Sequence, residues 1–576
     1  MTRNSPITPT NWKVEKIAVI GPGIVGMPMA AMLAHAKIRI GSGKPAKVVV
    51  VQRNSPTSGW KVDAINSGRS VIGGIEPELD RIVKETVGEG LLGASHDYAN
   101  LSDADVILVC IQTDKDGLGP DYGPMFEGLH GIARALQEKP DGKVPLIVFE
   151  STLAPSSMNT LIRNHFLEYG LQEGRDILLG NSPNRVMPGR LVERVADSDK
   201  LIGGLSPVTP ELIKLLYTHI VTRGELHLTN SLTAEIVKTL ENAYRDVRIA
   251  YSAEIVRYCD AHNIDFYRLR DQVNQRLNQQ DGASADPNAV PSGGLLIPAI
   301  GVGGHCLPKD GILLLWRMLE SGAADPANLL ILESRKINDE SPAESIRLAE
   351  KHFGSLDQKT VALMGTAYRF NSEDTRNSPT LPLAQLLIGK GCRVLMHDPY
   401  VKPDDQKLAK FNLKEHFTRD TTTVLENADF ILFCTAHRNY FQQRDELLQA
   451  AKKLKGVFDG CNLFNKADFD GIPYAGIGRG TKLPPPDFVD FVHKGFRIME
   501  RGVANELSAY IEYANQHYAG DDFNRAEFKE VQRIAGTCVT GCDIADFGPV
   551  QAVPEFGGFV PRLVQCAQRA WDERSR

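Results

Sequence analysis

The first third of the chain alternates short apolar runs with longer segments of helical periodicity. Apolar runs bounded by turn residues predict strands, and the segments between them predict helices. The predicted strands are Lys16–Ile20, Lys47–Val51, Asp105–Ile111, Val144–Phe149 and Asp176–Gly180. Strands that alternate with helices are typical of a parallel, doubly wound sheet, whose ligands lie at the carboxyl ends of the strands.

A long helix is predicted from about Ser231 to His262, because no Gly or Pro interrupts this stretch. On it Lys238, Asn242 and Arg245 fall at positions i, i+4 and i+7 of one face. A polar stripe of this kind is either a solvated face or a ligand-binding face.

The alternation of strands and helices begins again at Thr360 and predicts a second α/β domain. A helix is predicted at Leu381–Lys390. The predicted strands of this domain are Thr360–Met364, Arg393–His397, Phe430–Thr435, Gly456–Asp459 and Gly476–Arg479. Three prolines at 484–486 precede a final segment with helix-like sequence and aromatic-rich loops.

Composition narrows the class of protein. The chain has 576 residues, 42% of them hydrophobic and 24% charged, as in globular proteins of several domains. A net charge of -6 gives no reason to expect nucleic acid or an anionic membrane as partner. Nine scattered cysteines fit a reducing compartment, and no apolar stretch resembles a signal peptide or membrane span. We therefore expect a cytoplasmic protein, and no metal site at Cys538 and Cys542, which have no further ligand nearby in the sequence.

The first strand runs directly into GPGIVG and then into a helical pattern, the context of a dinucleotide-binding turn. Gly21 makes the turn, Gly23 lets the backbone approach a pyrophosphate, and Gly26 lets helix and strand pack closely. Ile24 and Val25 complete the turn. The motif predicts a bound dinucleotide at this end of the sheet.

The second strand ends at Gln52 and Arg53, where an acidic residue would normally bind the ribose hydroxyls. Gln52 can still bind a ribose. Arg53 either contacts a 2′-phosphate or is a solvated loop cation. These two residues therefore do not decide between NAD and NADP as the cofactor. Polar residues that follow later strands lie near the same crevice or serve as helix caps. They are Thr113, Glu150, Ser151 and Thr152.

The segment GVGGHCLPKDG places Cys306 in a glycine-rich loop. Lys309 provides a cation that favours a thiolate, and Asp310 provides a carboxylate that can orient a proton or a water. These residues are typical of a nucleophile, although a buried cysteine beside a charged turn has the same pattern.

The motifs occur together in an order that resembles one family. They are GPGIVG, ESTLAP, SPNRVMPG, AEIVKTLENAYRDV, GVGGHCLPKD and GTAYRFNSEDTRNSPT. Over residues 15–480 the chain resembles the nucleotide-sugar 6-dehydrogenases of the UDP-glucose/GDP-mannose dehydrogenase family. ENAYRDV, ESTL and TAHRNY resemble most the branch that acts on UDP-N-acetylglucosamine or UDP-N-acetylmannosamine, and the UDP-glucose and GDP-mannose branches are the alternatives.

The resemblance implies an α/β fold with two Rossmann-like doubly wound domains, joined by a central helical dimerisation domain and followed by a C-terminal extension. We expect a homodimer or higher homo-oligomer. The expected domains are residues 1–205 for NAD, 206–350 for the helical domain with the cysteine loop, 351–482 for the UDP-sugar, and 483–576 for an extension of unknown role.

The resemblance also implies a four-electron oxidation of a sugar 6-hydroxymethyl group to a carboxylate with NAD, in the synthesis of acidic polysaccharides. Cys306 would carry a thiohemiacetal and then a thioester, Lys238 and Asn242 would hold the oxyanion, and Asp310 and Thr152 would position water. The implied cofactor-binding residues are Gly21, Gly23, Ile24, Val25, Gly26, Gln52, Arg53, Thr113, Thr152 and Arg376. The implied substrate-binding residues are Asn184, Arg185, Val186, Lys238, Asn242, Arg245, Gly303, Tyr368 and Arg369.

Two positions depart from the family pattern. Asn184 stands where the family has an acid/base glutamate, and Cys461 stands where it has an arginine that contacts substrate. An asparagine does not exchange a proton near neutral pH. A catalytically silent protein that binds sugar nucleotides is therefore the alternative to an active enzyme.

Overall fold

The computed structural model describes residues 7–73, 76–185, 190–279, 292–469, 471–538, 541–550 and 554–574. The chain forms two compact units. The first comprises Met1–Glu241, Ile312–Ala323 and Ser508–Cys538, and the second comprises Asn242–Gly311, Ala324–Leu507 and Val539–Arg576.

The first unit is built on an eight-stranded sheet in the order β10-β9-β8-β7-β4-β1-β2-β3. The strands of this sheet are β1 Lys16–Ile20, β2 Lys47–Val51, β3 Leu92–Ser95, β4 Val106–Val109, β7 Leu146–Phe149, β8 Leu178–Asn181, β9 Lys200–Gly204 and β10 Leu226–Asn230. A separate, exposed hairpin consists of β5 Asp114–Asp116 and β6 Gly119–Asp121. The central strands are buried on both faces, as parallel strands covered by helices must be. These helices are α1 Gly26–His35, α2 Trp60–Asn66, α3 Pro77–Gly88, α4 Gly123–Gln137, α5 Arg163–Glu168, α6 Leu191–Asp197 and α7 Val208–Tyr217.

The second unit contains a six-stranded, wholly parallel sheet in the order β13-β12-β11-β14-β15-β16. Its strands are β11 Thr360–Met364, β12 Arg393–His397, β13 Phe417–Thr418, β14 Phe430–Phe433, β15 Gly456–Asp459 and β16 Tyr474–Gly476. The remaining helices of the chain are α8 Ser231–His262, α9 Phe266–Leu277, α10 Leu307–Glu320, α11 Leu330–Phe353, α12 Thr380–Gly389, α13 Gln406–Lys410, α14 Thr421–Leu425, α15 Arg438–Gln442, α16 Arg444–Ala450, α17 Pro486–Tyr518, α18 Phe528–Ala535 and α19 Arg562–Arg574.

Both predicted α/β sheets and the long helix α8 are present with the expected order. The last strand was placed too late in the chain, since β16 covers Tyr474–Gly476 and not Gly476–Arg479. Several strands are shorter than their apolar runs, because the residues at the ends turn into loops. The sheet of the first unit is not wholly parallel, since β9 runs antiparallel to β8. Strands β3, β5, β6, β9, β10 and β13 were not predicted, because they carry Gly or polar residues that interrupt an apolar run or, as in β13, are very short.

The C-terminal extension supplies partners to the helices of the second unit. Tyr244 of α8 donates to Glu500 of α17 at 2.8 Å. A Cβ on Gly502 of α17 would lie 2.5 Å from the Cβ of Ala567, so a glycine permits the close approach of α19. The extension is therefore part of the core and not an appended tail.

Glu506 of α17 caps the amino end of α11. It is 6% exposed, and its carboxylate accepts from the backbone N–H groups of Leu330 and, at 3.2 Å, of Ile331. These N–H groups begin a helix and have no partner within it. Burial raises the pKa of Glu506 to about 7.

Glu506→Ala is expected to lower the free energy of unfolding by about 1–3 kcal/mol, because two buried N–H groups lose their acceptor. The native pKa lies above the unfolded value of about 4.3, so this carboxyl binds more protons in the folded state. Its stabilising contribution therefore decreases as pH rises from about 4.3 to about 7. Denaturant unfolding of the full chain at two pH values measures both effects. Glu512→Ala, at an exposed position of the same helix, is the control, and an equal loss in both variants would contradict the capping role.

Candidate active site

The turn between β1 and α1 is built from the three glycines of GPGIVG. Gly21 has φ +85°, and a Cβ on it would lie 2.9 Å from the carbonyl oxygen of Cys110. A Cβ on Gly26 would lie 2.2 Å from the carbonyl oxygen of Gly21, whereas a Cβ on Gly23 would meet nothing within 4 Å. The turn thus presents bare backbone and the amino end of α1 to open space, which fits the pyrophosphate of a dinucleotide.

The two residues that follow β2 are already engaged. Gln52 donates to the hydroxyl of Ser58 at 3.0 Å. Arg53 pairs with Glu127, and the two side chains are 62% and 65% exposed. An ion pair this exposed is weak, so it places Arg53 at the surface without deciding whether the residue meets a 2′-phosphate.

A lysine that the sequence patterns did not identify lies beside the same turn. The Nζ of Lys61, on α2, is 3.5 Å from the carbonyl oxygen of Pro22, 39 residues away in the chain. Burial lowers the pKa of Lys61. Ile24 and Val25 are half-buried and pack against the core of the sheet. No sequence signal marks Lys61, since only the fold brings α2 to the turn.

The segment after β7 is held by Thr113 and by Glu235 of α8. Thr113 donates to the carbonyl oxygen of Thr152 at 2.7 Å. The Glu235 carboxylate accepts from the N–H groups of Ser156 at 2.7 Å and Met158 at 2.9 Å. Burial raises the pKa of Glu235 to about 8. These contacts fix the backbone that carries Thr152.

Glu150 is the centre of a buried polar cluster. It pairs with Lys200 at 2.7 Å, with side chains that are 0% and 6% exposed. Tyr217 donates its hydroxyl to Glu150, and Asn184 donates through Nδ2. Burial raises the pKa of Glu150 and lowers that of Lys200, and each charge supports the other. Because the amide nitrogen of Asn184 faces Glu150, its oxygen is the atom that remains for another donor.

Arg185, the next residue, forms a buried ion pair with Glu241 of α8, and the two side chains are 5% and 4% exposed. It also donates to the carbonyl oxygen of Asp199 at 3.2 Å. Although burial lowers it, the pKa of Arg185 is raised by the Glu241 carboxylate. Val186 lies outside the described residues. Lys238 precedes Asn242 by one turn of α8 and is 8% exposed.

In the second unit, two glycines of the cysteine loop pack against the loop that follows β11. A Cβ on Gly303 would lie 2.4 Å from the Cβ of Tyr368. Gly304 donates to the carbonyl oxygen of Arg376 at 2.8 Å and accepts from Asn377 at 2.9 Å. Larger residues would not fit at the first position, so the glycines bring the cysteine loop against the β11 loop.

Cys306 is half-buried and immediately precedes α10. Its carbonyl oxygen accepts from the N–H groups of Lys309 at 3.1 Å and Asp310 at 2.9 Å. The Asp310 carboxylate pairs with Lys309 at 2.5 Å and accepts from Asn242 at 2.6 Å. Both members of the ion pair are almost wholly buried. A thiol at a helix N-terminus is in a position that favours the thiolate.

Arg376 adds a second cation to this neighbourhood. Its Nε and Nη2 are held by Asp374 at 2.9 and 2.6 Å. Although burial lowers it, the pKa of Arg376 is raised by the Asp374 carboxylate and also by Cys306. Arg369 lies over the ring of Phe370 at 5.3 Å.

A buried Asp–His pair organises the β11 loop. Asp398 accepts from the N–H groups of Thr366 at 2.8 Å and Ala367 at 2.9 Å, and its Oδ2 is 2.9 Å from Nε2 of His437. The Nδ1 of His437 accepts from the N–H of Asn371 at 2.9 Å. This arrangement requires the neutral tautomer with its proton on Nε2. His437 belongs to the TAHRNY segment, so the structure gives that segment a physical role in holding the loop.

Cys461 follows β15, and burial raises its pKa well above the ordinary range for a thiol. A guanidinium lies at the same turn, because Arg479 donates to Asn462 and, at 2.9 Å, to the carbonyl oxygen of Phe464. Arg479 also lies 4.4 Å over the ring of Tyr267. Arg479, 18 positions later in the chain, thus lies at the turn where an arginine was expected at position 461.

The two units divide the predicted site residues. The first unit contains the glycine turn, Gln52, Arg53, Thr113, Thr152, Asn184, Arg185 and Lys238, and the second contains Asn242, Arg245, Gly303, Cys306, Asp310, Tyr368, Arg369 and Arg376. Arg245 is half-buried on α8. Within the described residues, no three His, Cys, Asp or Glu lie together as metal ligands would. The described helices include none with the length and apolar character needed to cross a membrane.

Three sequence models of a single family match the chain in succession. They are the NAD binding domain at residues 15–221, the central domain at 232–340 and the UDP binding domain at 362–466 of the UDP-glucose/GDP-mannose dehydrogenase family. The chain belongs to this family. It is an NAD-dependent nucleotide-sugar dehydrogenase, and the predicted family, fold class and cofactor are confirmed.

Named relatives are similar over most of this enzyme. UDP-N-acetyl-D-mannosamine dehydrogenase of Pyrococcus horikoshii is 31% identical over 469 residues, which cover 81% of this chain and 99% of the relative. The structure of that dehydrogenase has a TM-score of 0.66 at 30% identity, with 81% and 99% of the two chains covered. The structure of NDP-N-acetyl-D-galactosaminuronic acid dehydrogenase from Methanosarcina mazei Go1 has the same TM-score of 0.66 and identity of 30%, with 81% and 96% covered.

Lys200→Met is expected to destabilise the dehydrogenase by on the order of 3 kcal/mol, because it leaves the Glu150 carboxylate buried without its cation. The measurement is the denaturant midpoint of the full chain. Lys13→Met removes an ion pair of similar length, 2.8 Å, whose side chains are 57% and 59% exposed, and it is expected to have little or no effect. Equal midpoints for the two variants would contradict the role assigned to the buried pair.

Proposed function

We propose that this dehydrogenase oxidises the 6-hydroxymethyl group of a UDP-2-acetamido sugar, UDP-N-acetylmannosamine or UDP-N-acetylglucosamine, to the uronic acid through a covalent intermediate on Cys306. The observation that carries the proposal is the position of Cys306 at the amino end of α10, beside the buried Lys309–Asp310 pair to which Asn242 donates. The names of the relatives, which refer to N-acetylmannosamine and N-acetylgalactosaminuronic acid, support the substrate class.

Bound NAD⁺ would accept one hydride from the sugar carbon in each of two oxidations. After the first, the Cys306 thiolate adds to the aldehyde carbon, and the S–C bond converts the carbonyl into a hemithioacetal. Loss of the second hydride from that carbon leaves a thioester on Cys306. Water then adds to the thioester, the C–S bond breaks, and the acid and the thiolate are released.

The developing oxyanion needs donors that are already in place. Lys238 and Asn242 lie one turn apart on α8 and are assigned this role. Because one N–H of the Asn242 amide is held by Asp310, the orientation of the amide is fixed before substrate binds. Asp310 is wholly buried and paired, so it would orient Lys309 and Asn242, and it would act on water only through a change of these contacts.

The remaining contacts stay predictions. The glycine turn, Gln52, Arg53, Thr113, Thr152 and Arg376 are assigned to the cofactor, and Lys61 joins them as a phosphate contact. Asn184, Arg185, Val186, Arg245, Gly303, Tyr368 and Arg369 are assigned to the sugar nucleotide. Arg479, at the Cys461 turn, is a further candidate for the missing substrate arginine.

The four-domain division at residues 205, 350 and 482, the homodimer, the cytoplasmic location and a role in polysaccharide synthesis also remain proposals. Oxidation of UDP-glucose or GDP-mannose remains the alternative to this substrate class. The presence of Lys238, Asn242, Cys306 and Asp310 supports the covalent mechanism.

With UDP-N-acetylmannosamine or UDP-N-acetylglucosamine and NAD⁺, the enzyme is expected to form two reduced cofactors per sugar and the uronic acid. A screen of UDP- and GDP-sugars, read by absorbance of reduced cofactor and by mass of the product, measures this. Turnover of UDP-glucose or GDP-mannose alone would assign the enzyme to another branch of the family, and binding of UDP-2-acetamido sugars without reduction of the cofactor would contradict the proposed oxidation.

The covalent step is tested by replacing Cys306. Cys306→Ser is expected to abolish acid formation, because serine is hardly ionised near neutral pH and an ester lacks the reactivity of a thioester. Cys392→Ser is the matched control: its Sγ donates to the carbonyl oxygen of Leu356 at 3.1 Å, a bond that a hydroxyl can keep. Undiminished acid formation by Cys306→Ser would exclude the covalent mechanism.

A second prediction concerns the missing acid at position 184. Asn184→Glu alone is expected not to speed thioester hydrolysis, because the new carboxylate faces Glu150 and one of the two must stay protonated. Asn184→Glu combined with Glu150→Gln leaves one carboxylate, now at position 184, and is expected to speed hydrolysis by about 10²-fold if no other group serves as base.

Decay of the adduct on Cys306 after a single turnover, followed by intact-protein mass spectrometry, measures this step. Glu150→Gln alone is the matched control for loss of the charge. If the single variant Asn184→Glu hydrolyses the adduct faster than the double variant, the contact between positions 150 and 184 does not govern this carboxylate.

A further inference from the structure

Residues 513–538 of the C-terminal extension belong to the first unit, where they contact the segments that follow successive strands of the NAD-binding sheet. Asn159, after β7, donates to the carbonyl oxygens of Tyr518 at 2.7 Å and Ala519 at 2.9 Å. Asn524 donates to the carbonyl oxygen of Leu205, after β9, at 3.1 Å. The extension therefore reaches the part of the sheet from which catalytic and substrate-binding residues are proposed.

The same stretch contacts the end of β10. Asn230, the last residue of β10, donates to the carbonyl oxygen of Arg525 at 2.7 Å. Asn515 and Ala526 exchange two hydrogen bonds of 2.8 Å, which fix the loop between α17 and α18. Because these bonds are made to backbone atoms, they fix the position of the backbone of the extension.

The extension also contacts Arg185, in the loop after β8. Its Nη1 donates to the hydroxyl of Thr537 at 3.0 Å, and its Nη2 approaches the carbonyl oxygen of Ile534 at 3.4 Å. The Thr537 hydroxyl in turn donates to the Ile534 carbonyl oxygen at 2.8 Å. The hydroxyl thus uses its proton within the extension and offers a lone pair to the guanidinium.

Arg185 links two parts of the proposed site. It directly follows Asn184, and its guanidinium is paired with Glu241, the residue before Asn242 on α8. A planar guanidinium held by both Glu241 and Thr537 has one orientation, which a lysine could not reproduce. A displacement of Thr537 would therefore also displace Arg185, and with it Asn184 and the turn of α8 that carries Glu241.

We propose that residues 513–538 position the substrate site of the dehydrogenase, and that Thr537 is the positioning residue that fixes Arg185. The proposal rests on the assignment of Asn184, Lys238 and Asn242 to the sugar nucleotide. It gives the C-terminal extension a functional role: the extension completes the support of the loop after β8, and its contact acts through Arg185 on the groups that touch substrate.

Thr537→Val keeps the shape of the side chain and removes the hydroxyl. It is expected to lower kcat/KM for the nucleotide sugar about tenfold, since small displacements of positioned groups reduce rates strongly. KM for NAD⁺ is expected to stay within about twofold, because the glycine turn makes no use of Arg185. Thr537→Ser, which retains the hydroxyl, is expected to restore parental kinetics. Thr423→Val, at an exposed threonine of the second unit, is the control.

A double-mutant cycle with Arg185→Lys tests the route of the effect. If Thr537 acts through Arg185, the effect of Thr537→Val is largely absent when position 185 is lysine. Unchanged kinetics of Thr537→Val, or equal losses for sugar and NAD⁺, would overturn the proposal.

Hydrogen exchange gives a readout that is independent of turnover. Amides of residues 178–185 are expected to exchange faster in Thr537→Val than in the parent and in Thr537→Ser. If the parent oxidises no nucleotide sugar, the proposed activity fails. The positioning of Arg185 is then decided by exchange alone: faster exchange supports it, and unchanged exchange overturns it.

Discussion

The burial of ionisable side chains along α8 is the constraint on which the rest of the structure depends. Glu235, Lys238, Glu241, Asp246, Arg248 and Glu254 all lie on this helix, and each is less than 9% exposed. An unpaired charge at such positions would cost several kcal/mol, so the surrounding segments must supply partners. Glu235 holds the segment after β7, Glu241 pairs with Arg185, and Asp246 pairs with Arg335 at 2.7 Å.

The same constraint explains why the C-terminal extension is integral to the fold. Arg248 donates to the carbonyl oxygen of Gly541 at 2.9 Å, and Glu254 accepts from the N–H of Arg562 at 2.6 Å, so the extension satisfies buried charges of α8. The family models span residues 15–466 and do not reach these partners. In this dehydrogenase, buried polar groups of the central helix therefore take hydrogen-bond partners from the extension.

Each of the two predicted departures from the family pattern lies beside a residue of the type that was expected there. The Glu150 carboxylate contacts Asn184, and the Arg479 guanidinium contacts Asn462, next to Cys461. Two carboxylates in contact cannot both be ionised at low cost. A carboxylate at position 150, stabilised by Lys200, is therefore compatible with an amide at position 184. The pairing gives a physical reason for Asn184 that does not require loss of function.

The sequence by itself determined both α/β sheets, the long helix and the glycine turn, and it indicated Cys306 as a candidate nucleophile. These features have local causes, since apolar periodicity and a run without Gly or Pro act over neighbouring residues. The tertiary structure decided the strands β9 and β10, the antiparallel pairing of β9 with β8, and the hydrogen-bond partners of the polar residues. Contacts such as Lys61 with the glycine turn or Thr537 with Arg185, 352 residues apart, leave no local pattern. Buried polar groups take whichever partners the packed chain brings within hydrogen-bond distance, and that is settled only when the whole chain has folded.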